Sequence, residues 1–320
     1  MRENRRKFFK TSAAAAAGMA LSASPARAER EDAGDFIRSV QKARLFDLSH
    51  LWDEHSPIAS TNPPYSMVLN ATHESTRGTF DPDRQLSFTS EVQNFSGQHG
   101  APSLDAIGHI GHNGLLFGGV DAAKATSDTR GIGRSGVGAN LDVAHYPKEL
   151  LVNRGVLLDV AGFVMGNSDP LPADFPIDDE HLAETAHHQG VRIRRGDTVL
   201  IRTGWGKLFS ENPDVYKGKS AAGVNLSGAK WLIRQRARVV GNDTLTFEVR
   251  PPLAFPPEVP LFQVFPVHML VIADNGINII ENYFLDEIAA AREYEFLLVV
   301  PPLKIRGGTG SALRSFALVP

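Results

Sequence analysis

His99-Gly-Ala-Pro-Ser103-Leu-Asp105-Ala-Ile-Gly-His109 packs four chemically active side chains into one short segment. Positions 99, 103 and 105 share parity, so an extended backbone puts all three on one face. If the chain turns helical at Asp105, Asp105 and His109 lie four apart on one helix face. Two imidazoles, a hydroxyl and a carboxylate then converge. Imidazole plus carboxylate suits zinc, manganese or iron. Taken alone, the same cluster also reads as loop or capping chemistry.

Two segments further along offer partners. Val267-His268-Met269-Leu270 follows Pro266, and Glu281-Asn282 follows an apolar run. His268 and Glu281 complete a metal site from the far half of the chain, or stand as a core histidine and a strand-end glutamate. A third segment, Gly196-Asp-Thr-Val-Leu-Ile-Arg202-Thr203-Gly204-Trp205, ends a strand on a cation and an aromatic. Loops on a rigid sheet often bind ligands. Arg202 reads more simply as an ion-pair partner of Asp243 or Glu248.

Around these segments the pattern is strand-rich. Apolar runs with strand character fall at 45–48, 66–69, 86–92, 156–160, 198–202, 239–241, 244–249, 277–280 and 296–300. Helices are expected at 178–189, which starts with acids and ends before Gly190, at 227–237 and at 285–292. Residues 130–138 and 251–260 are rich in Pro and Gly and read as loops. Strands outnumber helices and alternate with them irregularly. The fold expected is a β-rich mixed α/β domain.

Composition excludes several classes. The 320 residues are 42% hydrophobic and 22% charged, too apolar for a disordered chain. There is no cysteine, which removes disulfides, thiolate metal sites and thiol nucleophiles. A metal here is left to His, Asp, Glu or weaker oxygen ligands. With 33 Lys/Arg against 36 Asp/Glu, no nucleic-acid signature is present.

Residues 1–28 read as an address. A basic head (Arg2, Arg5, Arg6, Lys7, Lys10) precedes a small apolar run, and Ala26-Arg27-Ala28 resembles a cleavage site. The Arg5-Arg6 pair before Phe8 resembles a bacterial twin-arginine signal. That implies the export machinery as a partner and a periplasmic or secreted protein. Residues 29–320 are then one domain without a membrane span. The leader carries six Lys/Arg and one acid, so the remainder holds 27 basic and 35 acidic residues, a net −8.

The whole mature chain resembles the cyclase family of metal-dependent hydrolases, which includes kynurenine formamidase and isatin hydrolase. The likeness runs through Phe46-Asp-Leu-Ser-His50, the His99–His109 segment, Gly155-Val-Leu-Leu-Asp159, and the segment from Gly196 to Trp205. It ends with Pro266-Val-His268, Ile280-Glu281-Asn282 and Pro302-Leu-Lys-Ile-Arg-Gly-Gly-Thr-Gly-Ser311. The resemblance implies a swivelling β/β/α fold, a dimer or tetramer, and one divalent metal, Mn²⁺ or Zn²⁺, with a second metal left open. The family signature, His-x-Gly-Thr-His-x-Asp-x-x-x-His, places ligands at His99 and Asp105 and the general acid/base at His109. His268 and Glu281 complete the ligand set. Ser103 replaces a ligand histidine, and a neutral hydroxyl is a far poorer ligand.

The reaction so implied is hydrolysis of a C–N bond in an aryl formamide or cyclic amide, with lactones and esters close behind. The metal would bring a water's pKa towards ~7. Tyr65, Trp205 and His112 are candidates for contacting the small-molecule substrate. The formamidases carry a Trp in the loop after the Asp-Leu-Ser-His block; Ala59 falls there, and Trp52 lies earlier. Two other readings stay open. One is a non-catalytic binding relative weakened at Ser103; the other is a metal-dependent lyase or cyclase.

Overall fold

Buried strands that need no polar face form the centre of the unit Arg44–Pro320, seen in a computed structural model. It describes residues 25–59, 62–80, 83–98, 100–127, 136–251 and 265–320. The chain divides into two compact units, Met1–Ala43 and Arg44–Pro320. The described part of the first includes the helix Pro25–Lys42. Residues 1–24 of the expected leader lie outside the described residues, as do 130–135 and 252–260 of the expected loops.

In the second unit the strands, in chain order, are β1 (Arg44–Asp47), β2 (Ser66–Ala71), β3 (Ser90–Asn94), β4 (Ser103–Asp105), β5 (Leu115–Leu116), β6 (Val120–Asp121), β7 (Val152–Asp159), β8 (Pro176–Ile177), β9 (Thr198–Arg202), β10 (Gly223–Val224), β11 (Val239–Asn242), β12 (Asn278–Glu281), β13 (Glu295–Val299), β14 (Gly310–Ala312) and β15 (Phe316–Val319). Nine of them make one mixed sheet in the order β1-β15-β13-β7-β9-β11-β12-β4-β14. Strands β7, β9, β11 and β12 run parallel, and antiparallel strands flank them. The parallel block is covered on both faces and so reads as continuous apolar sequence.

Alternation along these strands sorts the core into two layers. Val156, Leu158, Val199, Ile201, Val240 and Ile279 pack on one face. Leu104, Leu157, Leu200, Val239 and Ile280 pack on the other. The α/β expectation therefore holds. Among the described residues, no helix is long and apolar enough to cross a membrane.

Local differences from the sequence reading have physical causes. Residues 103–105 form a strand and do not turn helical at Asp105, because β12 and β14 hydrogen-bond them from both sides. Residues 244–249 form no ladder strand. The Asn242 amide folds them back by donating to Thr244 Oγ1 (2.8 Å) and the Phe247 carbonyl (2.9 Å). The expected 227–237 helix starts earlier, as Leu226–Arg234. Asn225 caps it, accepting from the amides of Ser227 and Gly228.

Candidate metal centre

Leu104 packs into one layer, so its neighbours Ser103 and Asp105 turn to the other face. By the same alternation Glu281 follows Ile280 and points to that face too. The register sets Ser103 opposite Glu281 and Asp105 opposite Ile279. The remaining partner arrives on the short helix Pro266–His268, which continues into a wider turn, Met269–Ala273. Val267, Val271 and Ile272 pack into the core on that face and seat the helix there.

The four side chains are buried. His268 Nε2 lies 3.1 Å from Glu281 Oε1 and 3.9 Å from Asp105 Oδ2. One ligand atom from each of Asp105, His268 and Glu281 lies within 4.8 Å of the others. His99, the fourth expected ligand, lies outside the described residues. Ser103 Oγ accepts from Asn282 Nδ2 (3.4 Å), which also donates to the Gly100 carbonyl (3.2 Å). Tyr216 Oη donates to the Asn282 side-chain oxygen (2.8 Å). Asn282 adopts a φ of +61°, a left-handed conformation that asparagine tolerates better than most residues.

The electrostatics favour a cation. Burial pushes the Glu281 carboxyl up to about 7; His268 pulls it down and the Asp105 charge adds to the rise. Burial alone would lower the His268 imidazole, but hydrogen bonds to Glu248 and Glu281 carry it well above its ordinary value. Two carboxylates and an imidazole, nearly free of water, form an N/O donor set that suits a divalent metal. The residues present fit one.

His109 stands at the edge of this cluster, its side chain 31% exposed and its Nε2 3.9 Å from Asp105 Oδ1. Gln98 Nε2 donates to His109 Nδ1 (3.2 Å) and to Thr309 Oγ1 (3.1 Å). An amide nitrogen only donates, so His109 Nδ1 accepts and its proton sits on Nε2, facing the cluster. A neutral imidazole held this way suits general acid/base work. Gln98 reaches it because Gly97 lets the backbone press against Gly310 of β14.

Other expected site residues have partners of their own. Trp205 is 2% exposed in the core, its indole N–H bonded to the Leu171 carbonyl (2.9 Å). It packs within the core. His112 pairs through Nδ1 with Asp274 (2.9 Å). Tyr65 packs on Trp52 (ring centroids 4.5 Å apart), which also meets Phe95 (5.2 Å). Arg202 follows Ile201 and so points to the opposite face. Its ion-pair partners are Asp159 (2.8 Å) and Asp286 (2.7 Å); the expected Asp243 attracts it from farther off, and Glu248 pairs elsewhere. Asp243 instead accepts from the amides of Thr203 (2.8 Å) and Gly204 (2.9 Å).

Sequence reasoning missed Glu248, Asn282 and Gln98 as neighbours of the site. Their contacts depend on loop folding that no periodicity announces. Glu281-Asn282 stands in a quoted segment and Glu248 was named only as a partner for Arg202, but only the folded chain gives them these neighbours.

Comparison with known proteins follows the same lines. Residues 46–249 match a family model described as "Cyclase: Putative cyclase". A crystal structure described as a novel cyclase aligns with a TM-score of 0.72 and 25% identity, covering 88% of this chain and 89% of that one. Isatin hydrolase A from Labrenzia aggregata, bound to benzyl benzoate, aligns at 0.64 and 21% identity, over 90% and 99%. A protein from Bacillus stearothermophilus described as a "predicted metal-dependent hydrolase" aligns at 0.52 and 16%, over 87% and 99%. No functionally curated sequence is a significant match.

Proposed function

The chain belongs to the cyclase family, and from that premise we propose that it is a metal-dependent hydrolase of a C–N bond in an aryl formamide or cyclic amide. Lactones and esters are related substrates of the same chemistry. The observation that carries this reading is the buried convergence of Asp105, His268 and Glu281 beside His109. Asp105, His268 and Glu281 would hold one Mn²⁺ or Zn²⁺, with His99 from the preceding segment. When bound, such a metal supplies Lewis acidity that lowers the pKa of water and polarises a carbonyl.

The chain's own groups do the rest. His109, with Nδ1 held by Gln98, gives its Nε2 proton to the leaving nitrogen and is restored at Nε2 by a proton of the attacking water. Burial of the cluster excludes bulk water and strengthens each charge interaction there. The Trp52–Tyr65–Phe95 group offers flat apolar surface of the kind an aryl substrate stacks on.

Two wider proposals accompany this one. The β2–β3 ribbon exposes Met67, Val68, Leu69 and Val92. A two-stranded ribbon is marginal alone, and contiguous exposed apolar surface marks association. This supports a homo-oligomer. The twin-arginine-like leader supports export to the periplasm or beyond.

The test is metal analysis joined to a hydrolysis panel. Purified protein is reloaded with Mn²⁺ or Zn²⁺ and offered aryl formamides, isatin-type cyclic amides and lactones in ¹⁸O-labelled water. Turnover with label in the product is expected. Less than about a tenth of an equivalent of metal after reloading would overturn the hydrolase reading, because the proposed Lewis acid would be missing. Bound metal without turnover would favour a binding protein, and product without label a lyase.

A further inference from the structure

We propose that Glu248 is the positioning residue of the metal centre, fixing the His268 imidazole so that Nε2 faces Asp105 and Glu281. The proposal rests on the metal-site reading above and extends it to a residue outside the expected ligand set.

Glu248 is 1% exposed. Burying a carboxylate in a protein interior is expensive unless it is fully hydrogen-bonded. Three donors converge on it. His268 Nδ1 lies 2.6 Å from Oε1, the His268 amide 3.1 Å from Oε1, and the Val267 amide 3.2 Å from Oε2. The carboxylate thus grips both the backbone that carries His268 and the far side of its ring. An ionised carboxylate only accepts, so Nδ1 carries a proton. Without a metal, Nε2 donates to Glu281 Oε1 (3.1 Å); a metal bound there would take the place of that proton while Glu248 keeps the one on Nδ1, the state in which an imidazole ligates a metal.

The local fold delivers this carboxylate. Phe247 takes a φ of +50°, a conformation uncommon for an aromatic residue. Val224 of β10 bridges Glu248, and its amide donates to the Phe247 carbonyl (3.1 Å). A Cβ on Gly223 would collide with the Glu248 backbone, so the glycine is what admits it. Backbone strain of this kind persists only where the surroundings hold it. Partners of a ligand histidine typically contribute 10- to 100-fold in metal affinity.

The experiment uses full-length protein stripped of metal with a chelator. Zn²⁺ is titrated against a competing chelator into the wild type, Glu248→Gln and Glu248→Ala, with thermal melting alongside. Histidine ¹⁵N NMR of the zinc-loaded wild type reads the His268 tautomer, its signals assigned by their loss in His268→Gln. The wild type is expected to bind zinc with Nδ1 of His268 protonated. Glu248→Gln is expected to stay folded and bind about 10- to 100-fold more weakly. A folded Glu248→Gln that binds as tightly as the wild type overturns the positioning role alone. If both variants fail to fold, the wild-type spectrum decides: an unprotonated Nδ1 overturns the role, and a protonated one supports it. A wild type that takes up no divalent metal overturns the metal reading itself.

Discussion

Ser103 lies directly across the β4–β12 ladder from Glu281, both side chains on the face that carries His268. The position that holds a ligand histidine in the resembling family is therefore aimed at the cluster. Ser103→His should raise metal affinity, by about tenfold or more if the ring reaches the ion. The site is closed, with Asn282 against the hydroxyl, so overpacking should cost about 1–3 kcal/mol. Zinc titration and thermal melting check both parts. Unchanged affinity would show that the ring does not reach the cluster.

His109→Gln should leave metal binding and melting temperature near wild type while lowering turnover. General acid/base help is worth about 10²–10⁴ in rate. Gln98→Leu should lower turnover less, because it frees the ring without removing it. Steady-state rates on the best substrate of the panel decide the matter; full activity in His109→Gln would remove it from the mechanism.

Asp105→Asn separates repulsion from ligation. The Asp105 charge helps to hold the Glu281 carboxyl up near 7. Without metal, the variant should therefore melt no lower than the metal-free wild type. With metal the order should reverse. A ligand at 100 times its Kd adds about 2.7 kcal/mol to the protein that binds it. Melting curves with and without Zn²⁺ read both states; equal zinc-induced shifts would exclude Asp105 as a ligand.

His50 predicts an acid limb in stability. It stacks on Phe209 (4.2 Å between ring centroids), and its Nε2–H donates to the Tyr283 carbonyl (3.3 Å). Burial lowers its pKa from 6.5 to about 4. Between those values the unfolded chain binds a proton that the folded chain does not. Stability is therefore full above about pH 6.5 and falls as pH drops toward 4. At about 1.4 kcal/mol per pKa unit, the loss approaches about 3 kcal/mol. His50→Phe should keep the stack and flatten this window. Urea unfolding at pH 4.5 and 7 measures the change, and an undiminished slope would assign the limb to other groups.

The sequence showed the site where strand alternation governs it. Ser103 and Asp105 share parity, and Glu281 ends an apolar strand, so their common face follows once β4 and β12 pair. Trp205 and Arg202 were harder. Both close the same strand-loop segment, but parity turns Arg202 to the other face, and its partner Asp159 is fixed only by the β7–β9 register. Glu248 was hidden because residues 244–249 look like a strand by composition. The Asn242 side chain, through two hydrogen bonds, makes them a loop. Strands β14 and β15 escaped notice because three or four residues carry too little pattern.

The placing of β4 has a consequence for how the protein is made. This three-residue strand is clamped between β12 and β14, and β14 comes from the last dozen residues of the chain. Strand β1, the first of the main sheet, waits for β15, the last. A nascent chain that has not yet reached β14 and β15 has every candidate ligand side chain in hand but no frame to hold them. Such long-range pairing also folds slowly. A metal at this site would therefore wait for residues 310–319 to join the sheet, and a chain stopped before Gly310 would carry the candidate ligands without the frame that gathers them.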